Sequence, residues 1–125
     1  MKKNLLISLS IALMAIVLFS CSKGGYSLKT DKSTYAPGET IKVEYNADGA
    51  WEKNAWIGII PSTVAHGKES INDENDIEYK YLEKSTKGTF EFKAPSVAGK
   101  FDVRMNDSDD ATKGVEINSV SFEVK

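Results

Sequence analysis

Thr40-Ile41-Lys42-Val43-Glu44-Tyr45-Asn46 is the stretch that decides the fold. Ile41, Val43 and Tyr45 alternate with Lys42 and Glu44, so an extended chain here has one apolar and one charged face. That is the period of a half-buried antiparallel strand. The same alternation recurs downstream. Phe90 and Phe92 alternate with Glu91 and Lys93 in residues 88–93, and Phe101, Val103 and Met105 alternate with Asp102 and Arg104 in residues 100–106. Residues 26–30, 32–35 and 78–82 add further strands, and Ala36-Pro37-Gly38-Glu39 supplies a tight turn before the deciding one.

Residues 56–60 are apolar throughout, as in a central strand covered on both sides or one whose second face carries a ligand or partner. The last segment changes phase. Val115 and Ile117 are odd-numbered but Val120, Phe122 and Val124 are even, which predicts a β-bulge or kink near Asn118 and Ser119. No stretch shows convincing helical periodicity. About seven strands in about 100 residues predict an all-β fold, an immunoglobulin-like antiparallel β-sandwich over residues 26–125. No Cys-Trp-Cys framework accompanies it, because the chain of 125 residues has one cysteine.

Upstream the chain changes character. Lys2 and Lys3 precede an apolar run from Leu5 to Phe19, broken by Ser8 and Ser10 and closed by Ser20 and Cys21. A positive start, an apolar middle and a small-residue end make an export signal. The run falls short of the roughly 20 apolar residues that a spanning helix needs. Its end resembles the lipobox of bacterial lipoproteins: Leu18, Ser20 and Cys21 match, and Phe19 is bulkier than usual there. The resemblance implies cleavage before Cys21 and acylation of its thiol. Two or three acyl chains, at about 0.8 kcal/mol per buried methylene, suffice for stable anchoring.

The expected organisation is therefore a signal peptide at 1–20, a lipidated cysteine with a short tether at 21–25, and the sandwich at 26–125. Four extended residues, 22–25, reach only about 14 Å, so the domain sits close to the bilayer. Resemblance to sorted lipoproteins implies a place in the bacterial cell envelope. In a Gram-negative host, Ser22 in place of a retention aspartate implies the outer membrane, facing the periplasm.

The whole chain carries 16 basic and 18 acidic side chains, and losing Lys2 and Lys3 with the leader leaves four more acids than bases. No basic run follows the leader, which argues against nucleic acid as a partner. The membrane is reached by the lipid anchor alone.

Lys32, Ser33, Tyr35, Pro37, Gly38 and Glu39, then Ala55-Trp56-Ile57-Gly58-Ile59-Ile60-Pro61, resemble a bacterial Ig-like module with a "DKxxYxPGExIxV" start and a "DWIGIYP" middle strand. That module is similar in pattern to the eukaryotic SKICH β-sandwich, and the likeness runs over most of residues 26–125. Ala55 stands where an acid is usual and Ile60 where a tyrosine is usual. The resemblance implies an accessory or binding fold without shared catalytic residues.

The residues point the same way. His66 is the only histidine, in a stretch with Ser62, Thr63 and Ser70 that lacks the strand-turn-helix setting of a nucleophile elbow, and it reads as a solvent-facing loop residue. One histidine and a lipidated cysteine do not make a typical zinc site. No enzymatic activity and no cofactor are expected, with weak calcium at Asp107, Asp109 and Asp110 as the one metal the composition suits. Asn72 to Asp76 form a second oxygen-rich loop. Calcium takes six to eight oxygens, but Thr112 occupies the sixth position from Asp107, where an EF-hand requires glycine. Solvated Asx-rich turns explain the same residues.

Trp51, in a polar stretch between two strands, and Tyr79 with Tyr81, on one face of theirs, are the candidate ligand or partner contacts. Packing over the sandwich end and the core edge is their structural alternative. Trp56, in the most apolar strand, is expected to be structural. The function expected is a non-enzymatic binding module for an envelope protein. The alternatives are a glycan-binding or adhesive lipoprotein, with or without calcium, and a small hydrolase inhibitor.

Overall fold

The computed structural model describes residues 20–23 and 26–125. The expected signal peptide lies outside the described residues except for Ser20, as do Gly24 and Gly25 of the expected tether. Among the described residues no helix is long and apolar enough to cross a membrane.

Two sheets pack face to face. One holds β1 (Ser20–Lys23), β2 (Tyr26–Thr30), β4 (Thr40–Asn46) and β7 (Lys87–Lys93) in the order β1-β2-β4-β7. The other holds β3 (Thr34–Tyr35), β5 (Trp56–Pro61), β6 (Glu78–Tyr81), β8 (Gly99–Asn106) and β9 (Glu116–Val124) in the order β3-β9-β8-β5-β6. β2, β4 and β7 occupy the A, B and E positions of an immunoglobulin sandwich. β5, β6, β8 and β9 occupy C, C′, F and G. The chain passes from β6 to β7 without a strand at the D position.

Leu28, Ile41, Val43 and Phe92 of the first sheet meet Ile57, Ile59, Val103, Met105 and Phe122 of the second, all buried. Burying each such side chain stabilises the fold by about 1.5–3 kcal/mol.

Nine strands replace the seven or so expected. One extra is β1, whose backbone pairs Cys21 with Leu28 and Lys23 with Tyr26, so residues 21–23 lie along a sheet edge and not in a free tether. The strand expected at 32–35 is present as β3, shortened to Thr34–Tyr35 where the chain crosses from one sheet to the other. There β3 runs parallel to β9, Thr34 opposite Glu123, in an otherwise antiparallel fold. The expected bulge is present. Met105 faces Asn118 while Asn106 faces Glu116, leaving Ile117 as the extra residue.

The stretch from Asp31 to Glu39 is turn chemistry. Gly38 has φ +77° and Glu39 N–H donates to Ala36 C=O at 3.1 Å, a turn that needs glycine at its third position. The Asp31 Oδ1 accepts from the Tyr35 hydroxyl at 2.6 Å and from Lys42 N–H at 3.1 Å. Glu39 accepts from Ala36 N–H and pairs with Lys32.

One helix was not expected. α1 (Glu69–Asn75) lies over β5, so Asn72 to Asn75 belong to a helix and not to a loop. The outer residues of β5, Trp56, Gly58 and Ile60, are thereby buried by the chain's own segment. Ile60 and Ala55, where the resembling module has tyrosine and an acid, are both buried.

Candidate functional site

The second face of β8 sets the site. Asp102, Arg104 and Asn106 alternate with core residues, as solvent-facing residues would, yet all three are buried and Arg104 is 0% exposed. The guanidinium of Arg104 donates to Asp102 Oδ2 through Nε at 3.0 Å and Nη2 at 2.8 Å. It also donates to Val64 C=O at 2.7 Å, Ala65 C=O at 3.2 Å and Asn72 Oδ1 at 2.8 Å. Asn72 in turn donates to Asn106 Oδ1 at 2.8 Å and Glu116 Oε1 at 3.0 Å. One buried cation thus ties the 62–67 segment and α1 to the sheet. Five donors in a fixed fork are what permit so many simultaneous partners.

His66 is an exposed loop residue, as expected, and it also touches the rim of this network. Its Nδ1 lies 2.6 Å from Glu116 Oε2 and its Nε2 lies 3.5 Å from Asp102 Oδ2. The Ser62 hydroxyl donates to Asp102 Oδ1 at 2.7 Å, as does Ser121 at 2.8 Å.

Placed by Arg104, α1 carries Glu69 inward. Glu69 is 1% exposed, and its Oε1 accepts from the Trp56 indole N–H at 2.9 Å. Its backbone N–H donates to Gly114 C=O at 3.2 Å. A Cβ on Gly114 would stand 2.7 Å from the Glu69 Cβ, so glycine permits this approach of the 107–115 loop to α1. Carboxylate oxygens of Glu69, Asp73 and Asp109 consequently lie within 4.8 Å of one another. Burial, with the Asp109 and Asp73 carboxylates beside it, pushes Glu69 up to about 7 against the opposing Trp56 hydrogen bond. Asp76 is raised by burial and by the nearby Asp73 and Asp109.

Asp109 also reaches β6. The Tyr81 hydroxyl donates to its Oδ2 at 2.8 Å, which makes the phenol harder to ionise. The Tyr79 ring lies edge-on to Tyr81 at 5.3 Å and to Trp56 at 6.1 Å. Ile77, Tyr79 and Tyr81 are 50%, 48% and 38% exposed, a stripe along the last strand of the five-stranded sheet and the residue just before it.

Trp51 is half-buried, packed against the core with its ring 5.3 Å from that of Tyr26, so of the two readings the one in which it folds back over the sandwich end holds, and not the exposed tip. It lines one wall of a groove of about 420 Å³ whose floor and far side include Glu52, Asn54, Asp107, Asp110 and Lys113. A second depression of about 410 Å³ lies between Glu52, Asn54, Tyr81 and Glu83. Glu52 and Asn54 line both, so Trp51 and Tyr81 belong to one end of the sandwich.

The calcium ligands expected at Asp107, Asp109 and Asp110 divide. Asp107 Oδ1 accepts from Val115 N–H at 2.9 Å. Asp110 Oδ1 accepts from Thr112 N–H at 2.8 Å, the Thr112 hydroxyl at 2.7 Å and Lys113 N–H at 3.2 Å, which hold its carboxyl below the usual range. The Asp110 bonds make an Asx turn and the Asp107 bond ties the two ends of the loop together. Asp109 alone turns away, toward Glu69 and Asp73. The set with the chemistry to hold a hard cation is therefore Glu69, Asp73 and Asp109. The three carboxylates carry six oxygens, but Glu69 Oε1 and Asp109 Oδ2 already accept from Trp56 and Tyr81, which leaves four for a cation that takes six to eight.

No protein-family model matches the chain, and neither the curated proteins nor the solved structures offer a match. Fold and site alone therefore define its class: an all-β immunoglobulin-like sandwich with a grooved, acidic loop end and an aromatic edge strand.

Sequence reasoning missed Glu69, Asn72, Asp102 and Arg104. The available signal was the long segment from Ser62 to Ile77, since uncovered loops beyond about 12–15 residues are uncommon in compact domains.

Proposed function

We propose that the chain is a lipid-anchored binding module of the bacterial cell envelope, without catalytic chemistry, that holds a protein partner at its grooved loop end. Diacylglycerol on Cys21 supplies the membrane attachment, and in a Gram-negative host the domain faces the periplasm from the outer membrane. One observation carries the reading: the two depressions sharing Glu52 and Asn54 sit beside exposed Tyr79 and Tyr81. Recesses next to exposed aromatic anchors are the anatomy of protein-binding hot spots.

The alternative is a glycan ligand, favoured by a tyrosine pair next to a carboxylate. The two rings are inclined at 75°, so they form a corner and not the flat platform on which a sugar stacks. A corner suits a protruding side chain. Cross-linking in the native host, enrichment of the lipidated protein and mass spectrometry test the proposal. It expects a stoichiometric protein that Asn54→Arg, blocking both recesses, no longer retains. Glycan alone, or capture unaffected by Asn54→Arg, contradicts it. Cys21→Ser moves the protein out of the membrane fraction if the anchor is as proposed.

A further inference from the structure

The edge of β6 is open. β6 is the last strand of its sheet and pairs with β5 alone, at the position beyond which variable-type immunoglobulin sheets add a further strand. Leu82 N–H bonds Ala55 C=O on the β5 side. Alternate residues of an antiparallel ladder turn their backbone groups inward and outward, so those of Tyr79 and Tyr81 face the open edge. Exposed edges are commonly guarded by lysine. The one lysine of β6, Lys80, instead lies with its Nζ 5.9 Å from the Phe92 ring, turned onto its own sandwich. Glu78 accepts from Lys93 N–H at 3.0 Å and closes the edge at one end only.

The charge beside this edge is mostly negative. Asp109 accepts from the Tyr81 hydroxyl, carboxylate oxygens of Asp73 and Asp109 lie within 4.8 Å of each other, and burial together with these two acids raises Asp76. Among the described residues none of these three acids is paired with a lysine or arginine. Glu52 and Glu83 flank the far side of Tyr81, with Lys53 the one opposing charge there.

We propose that the open edge of β6 takes an extended basic segment of the protein partner as an added strand, with lysine or arginine side chains lodged between Tyr79, Tyr81 and the Asp73, Asp76 and Asp109 carboxylates. This rests on the protein-binding reading and specifies the segment bound. Main-chain pairing supplies affinity, and alternate side chains supply specificity. Tyrosine faces attract a desolvated cation. A neutral segment gains none of this, and an acidic one is repelled.

The test is selection of peptides from a random displayed library on the full chain in detergent. The expected winners carry lysine or arginine at alternate positions. Their binding weakens about tenfold or more in Tyr79→Ala/Tyr81→Ala and in the gentler Asp73→Asn/Asp109→Asn, falls with added salt, and is lost on N-methylating alternate backbone amides. Cooperative melting transitions well above the assay temperature show that both variants are folded. Three outcomes overturn the proposal: no peptide selected, winners without basic enrichment, or binding indifferent to N-methylation or to both variants. If it falls while the envelope partner is still captured in an Asn54-dependent way, the protein-binding reading stands and edge docking alone is rejected. Loss of both rejects the two together.

Discussion

Arg104 and Glu69 are opposite solutions to burying a charge. Arg104 is fully enclosed and keeps its charge because Asp102 and three further acceptors surround it. Removing one partner of such a set leaves uncompensated charge. Arg104→Met is therefore expected to cost about 3–5 kcal/mol in urea unfolding, with Asp102 left unpaired. A loss below about 1 kcal/mol, the scale of an exposed pair, would show that the network does not hold the segment.

Glu69 is enclosed by acids and responds by holding its proton. Its ordinary value is 4.5 and in the fold it is about 7, so between these pH values the folded chain binds a proton that the unfolded chain has released. Stability then falls as pH rises from about 4.5 to 7, by roughly 1–3 kcal/mol at about 1.4 kcal/mol per pKa unit. Asp76, also raised, acts in the same direction. Asp110 and Glu39 shift the other way, from ordinary values of 3.8 and 4.5, and their contribution is complete above those values. Glu69→Gln keeps an acceptor for the Trp56 indole and removes the charge. The melting temperature of the variant should lose most of the decline between pH 5 and 8. A decline as steep as in the parent would place its origin elsewhere.

At the scale of elements, β5 shows how tightly the layers meet. A Cβ on Gly58 would lie 2.6 Å from Trp56 Cζ3 and 3.1 Å from Glu78 C=O. Trp56 is itself held by Glu69, so it has little room to yield. Gly58→Ala is expected to destabilise by about 1–3 kcal/mol in denaturant titration, as overpacking does. A neutral result would mean that the indole moves freely and that α1 is not pinned through it.

The strands that sequence alone located well, β2 and β4, alternate apolar and polar residues with one face in the core. β8 misled because alternation records which residues are polar and not where water is. Asp102 and Arg104 pair beneath a cover, where Asn106 Oδ1 accepts from Asn72, and a buried network gives the same pattern as a wet face. α1 was invisible because seven residues make two turns, and its buried pair, Glu69 and Asn72, is polar. Of the candidate contacts, Tyr79 and Tyr81 were readable as neighbours two residues apart. Their partner Asp109 was not, since the folding of the 107–115 loop onto α1 brings it there.

For the whole molecule, the sandwich, the network and the grooves have one consequence. Arg104 fixes the cover, the cover fixes Glu69 and Asp73, and these converge with the 107–115 loop beside the β6 stripe. The opposite end has a shallow depression between Ser33, Ser62, Lys100 and Phe122, away from every candidate contact. The central claim is that recognition takes place at the first end. The most direct measurement is a photo-cross-linking residue placed in turn at Trp51, Asn54 and Tyr81, and at Ser33 and Lys100 of the far end, in the intact envelope of the native host. Adducts to one polypeptide from the first three positions and none from the last two are predicted. Adducts from the far end, or none from any position, would contradict the account.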